Sequence, residues 1–164
     1  MTGLVARINV SSGGVPKTPV DAAWVGVLGL EGDGHRDSRH HGGPDRAVCL
    51  YALEAIEALQ AEGHPIFPGA LGENLTVRGL PWKTLTPGRV LEVGTAVLEI
   101  TAYTSPCETI AGAFRDGDFS RVAHKRHHGW SRLYARVLVP GRVRRGDAVR
   151  LLEPGQSPAE STGR

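Results

Sequence analysis

The sequence predicts a β-rich α+β domain. Three observations carry that reading. Twenty-two glycines and eleven prolines among 164 residues, with only 5% aromatics, call for many tight turns. Several short stretches alternate apolar and polar residues with the period of a strand. Only one stretch has a strong helical period.

Leu4 to Val10 alternates as a first strand, and SSGGVP over 11–16 ends it, with Lys17 in the break. Val20 to Leu30 reads as one or two short strands. Glu31 to Arg46 is a polar, glycine-rich loop, and residues 47–51 (AVCLY) form a buried strand whose Cys49 belongs to the core. Ala52, Leu53, Ala55, Ile56 and Leu59 share one helical face, opposite Glu54 and Glu57, with Gly63 and Pro65 as stop signals. A loop from Pro68 feeds a strand over Asn74 to Val77. The segments PGRVLEVGTAVLEI, from Pro87, and PGRVRRGDAVRLLE, from Pro140, read as two hairpins. Each has a Pro-Gly type II turn before it and a tight turn at Gly94-Thr95 or Gly146-Asp147. Between them, Asp118 or Ser120 caps an expected second helix reaching about His128, whose basic end (Lys125, Arg126, His127, His128) suits the helix dipole. Trp130 to Pro140 is the longest expected strand. Residues 1–152 form one domain, and 153–164, rich in Pro, Gly and Ser, form a flexible C-terminal tail.

Composition narrows the function. A formal net charge of +2 argues for neither a nucleic-acid nor a membrane partner. No signal-peptide core and no membrane-length apolar run is visible, and two distant cysteines make no disulfide framework, so a cytoplasmic protein is expected. No phosphate-loop or dinucleotide fingerprint is present.

Chemistry concentrates in two places. Cys107 lies in YTSPCET, where Ser105 is an expected N-cap, Pro106 the first helical residue and Glu108 the partner of a capping box. At the second position of a helix, a cysteine is favoured as thiolate, which is both a nucleophile and a soft metal ligand. A small buried residue in a turn is the competing reading. The second place is the Glu31–Arg46 loop. Its glycines let backbone N–H groups approach an anion, and Arg36, Arg39 and Arg46 suit phosphate. Zinc held by His35, His40, His41 and an aspartate matches no strong zinc spacing. A triad of Cys107 with a histidine and an aspartate stays open on residue types alone. Asn74, at the mouth of a strand, either meets a ligand or bonds its own backbone.

Taken together, GGVPKTPV around Lys17, GLEGDGHRDSRHHGGPDRAV from Gly29, PGALGENLTVRGL from Pro68, SPCETI around Cys107 and GWSRLYARVLVPGRVRRGDAVRL from Gly129 resemble the MOSC domain family. That family takes its name from the C-terminal domain of molybdenum-cofactor sulfurases, and the chain is most similar to its small stand-alone bacterial branch. The resemblance implies a β-barrel with a few short helices and a bound molybdenum cofactor, a pterin that carries a phosphate. It implies that Cys107 ligates molybdenum or carries sulfur. It places Lys17, Arg36, Arg39, His41, Gly42, Gly43, Arg46 and Asn74 around the pterin. It further implies an oxidoreductase acting on N-hydroxylated compounds and served by a separate electron-donor protein. The alternative is a sulfur carrier holding a persulfide on Cys107, with a sulfur donor as partner. No pyridoxal phosphate is expected, and either a monomer or a homodimer is compatible. Many relatives have an arginine where this chain has Thr104; that anion contact is expected either to be missing here or to be supplied from elsewhere, by Arg121 or Lys125.

Overall fold

The structure is a computed structural model and describes residues 2–34 and 43–158. Its strands in chain order are β1 (Thr2–Val10), β2 (Thr18–Val20), β3 (Ala22–Gly26), β4 (Gly29–Leu30), β5 (Val48–Ala52), β6 (Leu75–Arg78), β7 (Val90–Val93), β8 (Ala96–Tyr103), β9 (Leu133–Val139), β10 (Gly141–Arg144) and β11 (Ala148–Leu152). One α-helix, α1 (Leu53–Ala61), follows β5 directly. The larger sheet runs β11-β7-β8-β9-β5-β6-β1-β2, and a further β11–β1 pairing closes it into a barrel with β2 on the outside. Closure removes the open edges that would otherwise invite aggregation. β10, β3 and β4 form a separate small sheet. Among the described residues no helix is long and apolar enough to cross a membrane.

Strand alternation divides the wall into two faces. Val48, Leu50, Leu75, Val77, Leu98, Ile100, Leu133, Ala135 and Val137 fill the barrel. The intervening Tyr51 turns outward into a second apolar cluster. There it packs with Ile56 and Leu59 of α1, with Leu71, and with Ile110, Phe114 and Val122. The barrel therefore has a packed interior and, against one stretch of its wall, a covered exterior.

The helix behaves as its period predicts. Ala55, Ile56 and Leu59 are buried, and the chain leaves through a Schellman turn. Gly63 N donates to Gln60 O (2.9 Å) and His64 N to Leu59 O (3.1 Å), with Gly63 at φ +97. The first predicted hairpin also forms. Arg89 N donates to Thr86 O across Pro87-Gly88, and Gly94-Thr95 joins paired Val93 and Ala96.

Four expectations are corrected. The second hairpin does not form, because β10 pairs with β3 while β11 pairs with β7 and β1. The turn at Gly146-Asp147 exists, but its outward groups are taken by other strands. Gly146 N donates to Val5 O, Val5 N to Asp147 O, and Arg145 N to Asp21 O. Gly141 is already the first residue of β10 and has no positive φ, so no type II turn starts at Pro140. The second helix is only a 3-10 turn, Phe119–Val122, capped by Asp118 as expected (Ser120 N to Oδ1, 3.1 Å). It stops because Ala123 is extended and His124 stacks flat on Tyr103, with centroids 3.6 Å apart. The basic cluster thus lies beyond the helix. Third, Cys107 does not sit inside a helix; it is the extended cap residue of a six-residue 3-10 helix, Glu108–Ala113, and makes no side-chain cap bond. Finally, the longest strand is the nine-residue β1, not the seven-residue β9.

Alternation sets a stability test. Leu98 is fully buried inside the barrel, whereas Leu138 is exposed on β9. Leu98→Ala should cost about 2–5 kcal/mol in denaturant unfolding, and Leu138→Ala should stay within about 0.5 kcal/mol of the parent.

Candidate functional site

The candidate site is built on the outward face of β5 and β9, beside the second apolar cluster. Cys49 and Tyr134 lie directly opposite each other in the β5–β9 ladder. Thr104, just past β8, donates its N–H to Arg132 O (2.9 Å). Its hydroxyl lies 4.0 Å from Cys49 Sγ. From there Pro106 carries the chain to Cys107, which is exposed, whereas Cys49 is buried. Both are free thiols. Cys49 is core, as its apolar neighbours predict, and burial pushes its thiol pKa up.

Tyr134 joins the parts. The Arg46 guanidinium sits over its ring, 5.4 Å from the centroid. Burial raises its hydroxyl pKa to about 12; Cys49 and Cys107 add to the rise, while Arg132 and Arg46 oppose it. Cys107 and Arg46, 61 positions apart in the sequence, thus come within electrostatic reach of the same hydroxyl. Arg46 is presented by a 3-10 turn, Pro44–Arg46, that starts after Gly43 at φ +81, a conformation in which a Cβ would be strained. Arg36, Arg39, His41 and Gly42, with the zinc candidates His35 and His40, lie outside the described residues.

Lys17 and Asn74 take positions beneath the cleft. Lys17 is buried, and its Nζ pairs with both oxygens of Asp33, at 2.6 and 2.8 Å. Asn74 Nδ2 donates to the same carboxylate (2.8 Å), and Asn74 Oδ1 accepts from Cys49 N (3.0 Å). Asn74 thus braces β5, and the Lys17 charge is met by Asp33. Next to them Asn9 Nδ2 donates to Glu73 O and to Thr76 Oγ1, both at 3.1 Å. Glu73 is fully buried; its Oε2 accepts from Gly69 N (3.0 Å) and Thr76 Oγ1 (3.1 Å), and its Oε1 has no partner.

Of the two substitutes expected for the arginine absent at Thr104, Arg121 is engaged elsewhere. It forks onto Glu62 (3.0 and 2.7 Å) and lies over Trp130, 4.1 Å from the centroid. Lys125 is exposed and forms no ion pair among the described residues. The sequence reading did not single out Tyr134, Asp33, Glu73 or Arg132. Only the β5–β9 register and the folded loops make them neighbours, although the SRLYAR stretch does carry a charge and a phenol two residues apart on a strand.

The closed barrel with its outlying small sheet defines a class, and comparison with known proteins agrees. The sequence model of the MOSC domain matches residues 37–150, and the chain belongs to that family. It is 35% identical over 145 residues to the uncharacterized protein YflK of Bacillus subtilis, covering 87% of this chain and 65% of that protein. It is 32% identical over 121 residues to the protein YiiM of Escherichia coli, covering 71% of this chain and 53% of that protein. The chain thus spans less than two thirds of the length of these relatives. The crystal structure of YiiM from Geobacillus stearothermophilus superposes with a TM-score of 0.75 at 28% identity, covering 93% of this chain and 76% of that one.

Burial at Glu73 sets a pH test. Its carboxyl pKa is raised above the ordinary 4.5, chiefly by desolvation. The stabilising contribution of such a group is full below its unfolded pKa and is lost as pH rises through the folded one. Glu73→Gln should therefore gain stability relative to the parent as pH rises above about 4.5. Denaturant midpoints across pH 4 to 8 measure this, and parallel curves for the two proteins would refute it.

Proposed function

We propose that this chain binds a molybdenum cofactor in the cleft of Cys107, Arg46 and Tyr134 and reduces N-hydroxylated compounds. The observation that carries the proposal is the exposed, free Cys107 thiol, within electrostatic reach of the Tyr134 whose ring Arg46 overlies. The residues present suit the group. Among the described residues no three His, Cys, Asp or Glu side chains converge to cage a metal. A metal held mainly by its own pterin needs only one soft ligand from the protein, and a thiolate is that ligand. When bound, the cofactor supplies oxo transfer.

The chain's own part is to bind, orient and shield. Cys107 ligates the metal. Arg46, with Arg36, Arg39, His41 and the backbone of Gly42 and Gly43, binds the pterin and its phosphate through charge and exposed N–H groups. Lys17 and Asn74 act through Asp33, fixing the floor against which the ligand rests. Tyr134 stays a neutral donor at physiological pH, because burial holds its proton. Electrons come from a separate carrier protein, since the sequence contains no flavin, nicotinamide or iron–sulfur motif.

A second reading keeps the same cysteine. An exposed thiol also suits a persulfide passed to a partner. Intact mass with and without reductant separates the two, since a persulfide adds one reducible sulfur.

The decisive experiment is elemental analysis. Protein purified from a host that makes the cofactor should carry about one molybdenum per chain, and Cys107→Ser should lose most of it, because a soft ligand is replaced by a hard one. Equal metal content in the two proteins would overturn the assignment.

A further inference from the structure

Arg132 has a feature that the proposed ligand set does not use. It is only 6% exposed. Its Nη1 donates to Leu71 O at 2.7 Å, and its Nε is buried without a partner. No carboxylate among the described residues forms an ion pair with it. The buried acid whose field it shares, Glu73, is itself pushed toward the neutral form by burial. A guanidinium presents five N–H donors in a planar fork. Here one is bonded to a carbonyl, and a positive charge is enclosed with no ion-pair partner among the described residues. An enclosed, uncompensated charge is destabilising and calls for an explanation.

Position supplies one. Strand alternation puts Arg132 on the same outward face as Tyr134, two residues on, while the intervening Leu133 enters the barrel. The carbonyl of Arg132 holds Thr104 N, and the Thr104 hydroxyl lies beside Cys49. Arg132 therefore adjoins the segment that delivers Cys107. The other cations near the cleft differ in setting, since Lys17 is neutralised by Asp33 and Arg46 lies exposed at the rim.

We propose that Arg132 is the enclosed anion-binding residue of this cleft, taking a tetrahedral oxyanion of the phosphate, sulfate or molybdate type beside Thr104. The proposal rests on reading the cleft as a ligand site, but it requires no molybdenum. It makes Arg132 the cationic counterpart of the hydroxyl at Thr104.

The test uses the full chain, purified both from an ordinary host and from one unable to make the pterin. Inorganic phosphate is titrated at constant ionic strength set with chloride, reading thermal midpoint and phosphorus line width. The cofactor-free protein should show a saturable response. Arg132→Met should weaken it by at least about tenfold, and Arg132→Lys should weaken it less, because charge is kept while the fork is lost. A purely structural arginine gives the opposite pattern: Arg132→Met melts lower yet binds phosphate as the parent does, which overturns the proposal. Should Arg132→Met fail to fold, parental phosphate affinity in Arg132→Lys, or no saturable response in the parent, overturns it equally. Loaded protein that no longer binds phosphate assigns the site to the cofactor's own phosphate. Loaded protein that still binds it assigns the site to an anion held in addition to the cofactor, and both results uphold the proposal. Molybdenum content of Cys107→Ser reports on the cofactor reading separately, so either idea can fail while the other stands.

Discussion

The ion pair between Lys17 and Asp33 is the constraint on which the cleft depends. The Asp33 side chain is 1% exposed and that of Lys17 9%, so both charges are withdrawn from water. Such a pair adds little net stability, because desolvation offsets most of the attraction. Its effect is positional. The same carboxylate holds Asn74, and Asn74 holds the backbone of Cys49. One anion thus ties the break after β1 and the turn after β4 to the start of β6 and to β5. Loops that would otherwise be free to wander are referred to the barrel wall.

The second organising fact is the division of labour across that wall. Residues pointing inward are aliphatic and pack the barrel. Those pointing outward over β5 and β9 are Cys49, Tyr51, Arg132 and Tyr134, which carry sulfur, hydroxyl and charge. α1 and the segment from Ile110 to Val122 cover part of this face and exclude water from it. Exclusion of water strengthens every interaction of the cations next to it. These polar side chains therefore lie against a partly dry outer face of the barrel, while Cys107 and Arg46 stay exposed.

Local signals were readable wherever a residue acts on its sequence neighbours. Gly63 ends α1 as expected, Gly94 turns the first hairpin, and Asp118 caps its short helix. The reading failed where a distant partner decides. The turn at Gly146 looks like that of a hairpin, yet β3 and β1 claim its strands. YTSPCET has the residues of a helix start, yet extended backbone at Cys107 displaces the cap by two positions. Cys107 and Arg46 were candidates from residue type and resemblance. Arg132 was not, because an arginine in a sequence looks solvated until folding encloses it and aims its guanidinium at Leu71 O.

Alternation along β9 has an implication for how the chain acquires its polar outer face. Sliding β9 by one residue against β5 would turn Arg132 and Tyr134 into the hydrocarbon interior and expel Leu133 and Ala135. No half-correct arrangement exists: mispaired chains would be unstable and would lack this polar outer face. Proofreading of the strand register and assembly of that face are therefore a single event. A folded molecule of this protein is, by that fact alone, one whose Arg132 and Tyr134 stand outside the barrel.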